Sequence, residues 1–208
     1  MIRFCFLLTI LLGLSLLCAC ANPAADQPKA VTTQAAPVSS PAVSGERYLI
    51  TSENSKVEFV ASKVTGSHHG GFGKVSGAID YAGTPENSRV TINIQTNSVT
   101  TDTPDLTRHL QTADFFDVAK YPQATFASTQ IKAGGDNGAT HTVTGNLELH
   151  GVTRSITFPA SIKVAPDAIT VDSTFSLNRK DFGINYAGAA DNLIRDEVVL
   201  TLKVRAVK

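Results

Sequence analysis

Chemistry in this chain would have to start from its five histidines. His109 stands four residues after Asp105 and five before Asp114. An imidazole beside a carboxylate can open an acid–base pair, contact a ligand, or simply be satisfied by its neighbour. We read His109 as a ligand contact or a polar latch. The plainer alternative, a helix-end histidine held by Asp105 or Asp114, is the stronger one. His68-His69, inside Ser67-His68-His69-Gly70-Gly71-Phe72-Gly73, offers two metal-type ligands. Adjacent residues on a strand face opposite ways, so the pair is a poor chelate and reads as a solvated turn or bulge. His141 and His150 flank one strand without metal spacing. Asp114 and Asp117 bracket Phe115-Phe116 in a turn, where capping is the common role of Asp. Asp181 stands alone. No serine–histidine–aspartate order, nucleophile elbow or phosphate loop is present. Gly66, Gly70, Gly71, Gly73 and Gly77 precede no helix and suit bulges and strand bends. The chain therefore reads as a non-enzyme with no catalytic residues, no metal and no resident cofactor.

Composition narrows the class. Lys+Arg and Asp+Glu are 18 each in 208 residues, so no cation excess exists to neutralise phosphates, and nucleic acid is excluded as a partner. All three cysteines (Cys5, Cys18, Cys20) fall in the first 20 residues, leaving the remainder without a disulfide or thiol chemistry.

The N-terminus reads as an address. Met1-Ile2-Arg3 is followed by an apolar or small-residue run from Phe4 to Leu17, shorter than the ~20 residues that cross a bilayer. Leu17-Cys18-Ala19-Cys20 resembles a bacterial lipobox, in which cleavage precedes a cysteine that is then acylated. This predicts a signal peptide over 1–19 and lipidation at Cys20. A flexible Pro/Ala/Ser linker is predicted over 20–45, because 18 of residues 21–45 are Ala, Pro, Ser, Thr or Gln. A folded domain then spans 46–208. Ala21 in place of Asp implies, by enteric sorting rules, the outer membrane facing the periplasm.

Period-two alternation dominates that domain. Val90-Ile92-Ile94, Leu147-Leu149, Ile156-Phe158-Ala160-Ile162, Ile169-Val171 with Phe175-Leu177, and Val198-Leu200-Leu202-Val204 each mark one apolar strand face. Weaker strands are predicted at 47–51, 55–64, 70–82 and 122–132. Thr103-Pro104-Asp105 opens a short helix over 104–112, with Leu106 and Leu110 on one face. Eight long antiparallel strands with one short helix predict an all-β sandwich or a closed barrel. At this strand length, a barrel just wide enough for one slender apolar guest is favoured.

Three blocks resemble a known family. They are His109-Leu110 with Ala113-Asp114-Phe115-Phe116-Asp117 and Lys120-Tyr121-Pro122-Gln123-Ala124-Thr125-Phe126; Gly145-Asn146-Leu147 with His150-Gly151-Val152-Thr153; and Asp181-Phe182-Gly183-Ile184. The chain resembles the YceI-like exported bacterial proteins over about 48–207. The resemblance implies an extended, lipocalin-like, eight-stranded antiparallel barrel that holds a polyisoprenoid, quinone-like or other lipid, as a carrier or reservoir. Candidate ligand contacts are then Phe59, Phe72, Ile92, Ile94, Leu106, His109, Leu110, Phe115, Phe116, Phe126, Leu147, Leu149, Ile156, Phe158, Phe175 and Phe182. Many members carry Arg-Asp three and two residues before the helix histidine; here Leu106 and Thr107 stand there, so no charged head-group contact carries over. The competing expectation is a non-catalytic envelope domain with a filled core, binding another protein or the cell-wall polymer.

Overall fold

The computed structural model describes residues 22–37 and 45–208. The signal peptide expected over 1–19 and the expected lipidation site Cys20 lie outside the described residues. In chain order the strands are β1 (Val31–Gln34), β2 (Glu46–Thr51), β3 (Lys56–Lys63), β4 (Gly66–Phe72), β5 (Val75–Tyr81), β6 (Arg89–Gln95) and β7 (Val99–Thr101). After helix α1 (Pro104–Leu110) come β8 (Gln123–Ala133), β9 (His141–Leu149), β10 (Val152–Val164), β11 (Ala168–Asn178), the two-residue β12 (Gly188–Ala189) and β13 (Asn192–Leu193), and β14 (Glu197–Val207).

Eight antiparallel staves close in chain order. The first three are each interrupted: β2 continues as β3, β4 as β5, and β6 as β7. Then follow β8, β9, β10, β11 and β14, and β14 pairs back onto both β2 and β3. Closure removes most barrel edges; β10 and β11 pair only over Ser161–Val164 and Ile169–Asp172, and part of the gap beyond is taken by the N-terminal segment. The Ser52–Ser55 turn signal is real but bends one stave without reversing it. Leu49 faces Val207 while Lys56 faces Lys203, so seven steps on one strand match four on the other. Serine hydroxyls take over the interrupted ladder: Val75 N–H donates to Ser52 Oγ (2.8 Å) and Arg205 N–H to Ser55 Oγ (3.1 Å).

His68-His69, read as a turn or bulge, is also strand: β4 begins at Gly66, and the strand expected over 70–82 breaks after Phe72 and resumes at Val75. Gly70 and Gly71 are needed because the wall is crowded there: Phe59, directly opposite Gly70, fills the place of a β-carbon. The β9–β10 hairpin turns on His150 (φ 53°) and Gly151 (φ 74°), a two-residue loop with both residues left-handed, as strand twist demands. Helix α1 starts where expected but ends at Leu110, and no side-chain cap bond forms from Thr103.

A larger correction concerns the linker. Residues 22–37 are not a free tether. β1 enters the wall between β10 and β11: it takes the edge of β10 that β11 leaves free, with Val31 opposite Thr157 and Gln34 opposite Arg154. Lys29 bridges Ser176 in the backbone and pairs Glu197 through Nζ. Asn146 clasps Ala36 at both ends of its amide: Ala36 N–H donates to Oδ1 (3.0 Å) and Nδ2 donates to Ala36 O (2.7 Å). Composition counts what a segment can bury by itself; here β10 supplies a ready ladder of backbone partners.

Candidate functional site

One end of the barrel is packed shut and the other is roofed. At the closed end Tyr48, Ile50, Ile79, Ile169, Val204 and Ala206 form a buried cluster. At the other, α1 and the loop 183–196 cover a cluster of Phe59, Val99, Leu110, Phe115 and Ile184.

Between them lies free apolar space. A middle cavity of about 90 Å³ is lined by Ile92, Ile94, Phe126, Leu147, Ile156, Phe158 and Phe175, among others. An upper cavity of about 140 Å³ is lined by Phe59, Phe72, Ile94, Leu110, Phe115, Phe116, Leu147 and Leu149, among others. Val57, Ile94, Leu147 and Leu200 border both, so the two are consecutive levels of one lumen. Among the described residues, both are lined by apolar atoms, including the stem of Arg179 in the upper one. Apolar voids of roughly 150 Å³ stay dry and accept small hydrocarbons. The lumen is nonetheless partly filled by its own rings: Phe158 stacks on Phe175 with centroids 4.4 Å apart, and Phe126 leans on Phe158 at 5.8 Å.

Above the lumen is a pocket of about 220 Å³ with mixed lining, including Ser62, Lys63, His68, Leu106, His109, Tyr186 and Asn192. Phe59, Ala61, Leu110, Phe115 and Ile194 belong to both this pocket and the upper cavity, which makes it the mouth. Ser62 is only 3% exposed, and its hydroxyl has no hydrogen-bond partner among the described residues. A buried hydroxyl without a partner is unfavourable by about 1–3 kcal/mol, and this one is shut off from the pocket, so a guest reaches it only after its surroundings shift.

The mouth is fastened by pairs. His109 Nε2 lies 2.8 Å from Asp114 Oδ2, the carboxylate partner expected; Asp105 pairs with Arg108 instead. The His109 ring also meets Phe115 and Tyr186 edge-on, both at 5.0 Å, joining α1 to the roofing loop. Asp102 accepts from His69 N–H (3.0 Å) and sits 2.9 Å from His68 Nδ1. The His69 N–H, then His68, hold its carboxyl below the ordinary value. Thr107 receives Thr101 N–H on its hydroxyl (2.9 Å) and pins α1 to β7. Asp117 acts through its backbone at φ 45°, where its carbonyl accepts from Lys120 N–H, and not as a side-chain cap.

Fifteen of the sixteen predicted contacts line the lumen or mouth. Phe182 is the correction. It is wholly buried in one cluster with Phe158, Phe175 and Leu177 but lines neither cavity, since the tight turn Arg179–Phe182 breaks the strand period. Sequence reasoning missed Ser62, Tyr186 and Arg179. The alternation did contain Leu200 and Leu202, which also line the lumen. Arg179, 6% exposed, borders the upper cavity with its stem while its guanidinium ties down the roofing loop. It donates to the carbonyls of Ile184 (2.7 Å), Arg195 (3.2 Å) and Ile194 (3.4 Å), and Nη2 lies 3.5 Å from Asp196. Burial pushes this guanidinium below the usual arginine value, and Asp196 pulls it back up.

Fold and site together define a closed antiparallel barrel of lipocalin-like architecture with a wholly apolar interior. The YceI-like domain family matches residues 48–206, and the chain belongs to that family. A UPF0312 protein of Pseudomonas putida is 34% identical over 147 residues, covering 67% of this chain and 73% of the relative. BcnA of Burkholderia cenocepacia superposes with a TM-score of 0.64 at 22% identity, over 76% of this chain and 99% of that one. A polyisoprenoid binding domain from Saccharophagus degradans, implicated in plant cell wall breakdown, superposes with a TM-score of 0.62 at 22% identity, over 77% and 97%.

Proposed function

We propose that this protein is a membrane-tethered binding protein that holds a long apolar molecule, a polyisoprenoid or quinone-like lipid, as a carrier or reservoir in the bacterial envelope. The observation that carries the reading is the stacked pair of apolar cavities opening through one polar mouth. A tail entering them loses water at ~25 cal/mol per Å² of apolar area, before ordering costs. An uncharged oxygen-bearing head fits the mouth, whose lining mixes apolar and polar side chains and whose two histidines already face carboxylates. The polyisoprenoid-binding relative in fold supports the same class of guest. The tether is acylated Cys20, and the location is the outer membrane facing the periplasm. A filled core, as a protein- or polymer-binding domain would have, agrees less well with two apolar voids on one axis. Thermal unfolding with added polyisoprenoid alcohol tests the proposal: the melting temperature should rise with ligand concentration. No rise at saturating ligand contradicts it.

A further inference from the structure

The place where the described chain begins bears on how the barrel meets a membrane. Asn22 lies in a surface groove with Arg179, Ala187, Leu193, Arg195 and Glu197, against the loop that roofs the mouth. From there the chain is fastened. Ala24 is buried, Ser176 N–H donates to Pro28 O (2.8 Å), Lys29 pairs with Glu197, and β1 runs along the first residues of β10. All these partners belong to the mouth half of the barrel. One residue, Ala21, separates Asn22 from Cys20, and the two peptide units between them reach at most about 7 Å. An anchor on Cys20 therefore has no slack with which to present the closed end.

The same end carries exposed apolar side chains. Val64 is 48% exposed, Leu193 49% and Tyr186 37%. Val64 N–H donates to Leu193 O (3.2 Å), which sets the β3–β4 turn beside the β12–β13 hairpin. Tyr186 stands over the mouth against His109 and Phe115. Single exposed apolar residues are ordinary. Three around one opening, beside the point where the chain arrives, form a rim suited to the headgroup–acyl boundary, with tyrosine of the interfacial type.

We propose that the mouth rests on the bilayer that holds the anchor, with Val64, Tyr186 and Leu193 dipping into its surface. The partner is a lipid membrane, and the consequence is that a guest moves between bilayer and lumen without crossing water. This orientation rests on acylation of Cys20, and the transfer step rests on the lipid-binding reading of the lumen.

The test uses the full mature lipoprotein in phosphatidylethanolamine and phosphatidylglycerol vesicles carrying doxyl lipids. Leu193→Cys and, as the far-end control, Leu49→Cys each receive one solvent-sensitive fluorophore; Leu49 is 50% exposed at the closed end. An acylated Cys20 has no free thiol to compete. Quenching several-fold stronger at position 193 than at 49 supports the proposal. Equal quenching, or stronger quenching at 49, on vesicle-bound protein overturns it. A mature N-terminal peptide without acyl mass overturns it as well, through the anchor. A native mass spectrum showing an empty barrel would remove the lipid-binding reading and leave the quenching result standing by itself.

Discussion

The ring of Phe59 occupies the space where a β-carbon on Gly70 would stand, 2.3 Å from its Cζ atom. The two residues face each other across β3 and β4, and Phe59 lines both the mouth and the upper cavity. The absent side chain at Gly70 is thus what lets the ring lie against the wall and leaves a passage. We predict that Gly70→Ala pushes the ring inward, lowers stability by about 1–3 kcal/mol in urea unfolding, and slows uptake of a fluorescent polyisoprenoid. Unchanged uptake would show that Phe59 is not the constriction.

Two tryptophan variants separate open from packed levels of the lumen. Leu149 borders the upper cavity, so Leu149→Trp should block uptake at a stability change under about 1.5 kcal/mol. Phe158 is clasped between Phe126 and Phe175, so Phe158→Trp should destabilise by about 1–3 kcal/mol. Equal stability losses, measured by urea unfolding, would mean that the upper level is as full as the middle one.

The roofing loop depends on Arg179. Lysine has no planar fork with which to reach three carbonyls, so Arg179→Lys should cost about 1–3 kcal/mol and raise amide exchange over 184–195. Arg154→Lys, at an exposed single contact to Asp181 O (3.3 Å), should stay within about 0.5 kcal/mol of wild type.

Acid should loosen the β4 side of the mouth through Asp102. Its carboxyl is held below the ordinary carboxylate value, first by His69 N–H and then by His68. A depressed folded pKa stabilises fully above the unfolded value of about 3.9 and loses that contribution as pH falls through the lower folded value. Protection of the His69 amide should therefore be constant from neutrality to about pH 4 and fall below it. Asp102→Asn should remove this acid step; an identical acid profile in the variant would assign it elsewhere.

How much of this was legible beforehand differs by residue. Strand faces such as Val90-Ile92-Ile94 announce themselves because one face meets an apolar interior, and period two records that directly. The lumen lining followed from those faces. Phe182 did not, because a phenylalanine beyond the strand looks alike in sequence whether it lines a void or packs behind the residues that do. Gly70 was read as a bend because its reason lies on another strand. β1 was invisible for the same cause: Thr32 and Thr33 gain partners only once β10 exists. Ser62 and Arg179 matter through what surrounds them, and no spacing encodes a missing hydrogen bond or three distant carbonyls.

A native mass spectrum of the protein purified from its own host, released gently from detergent, tests the central claim most directly. A protein with an occupied lumen gives a second series of peaks, heavier by the mass of one apolar molecule and lost on collisional activation. A single unliganded mass, unchanged after incubation with polyisoprenoid or quinone, would contradict it.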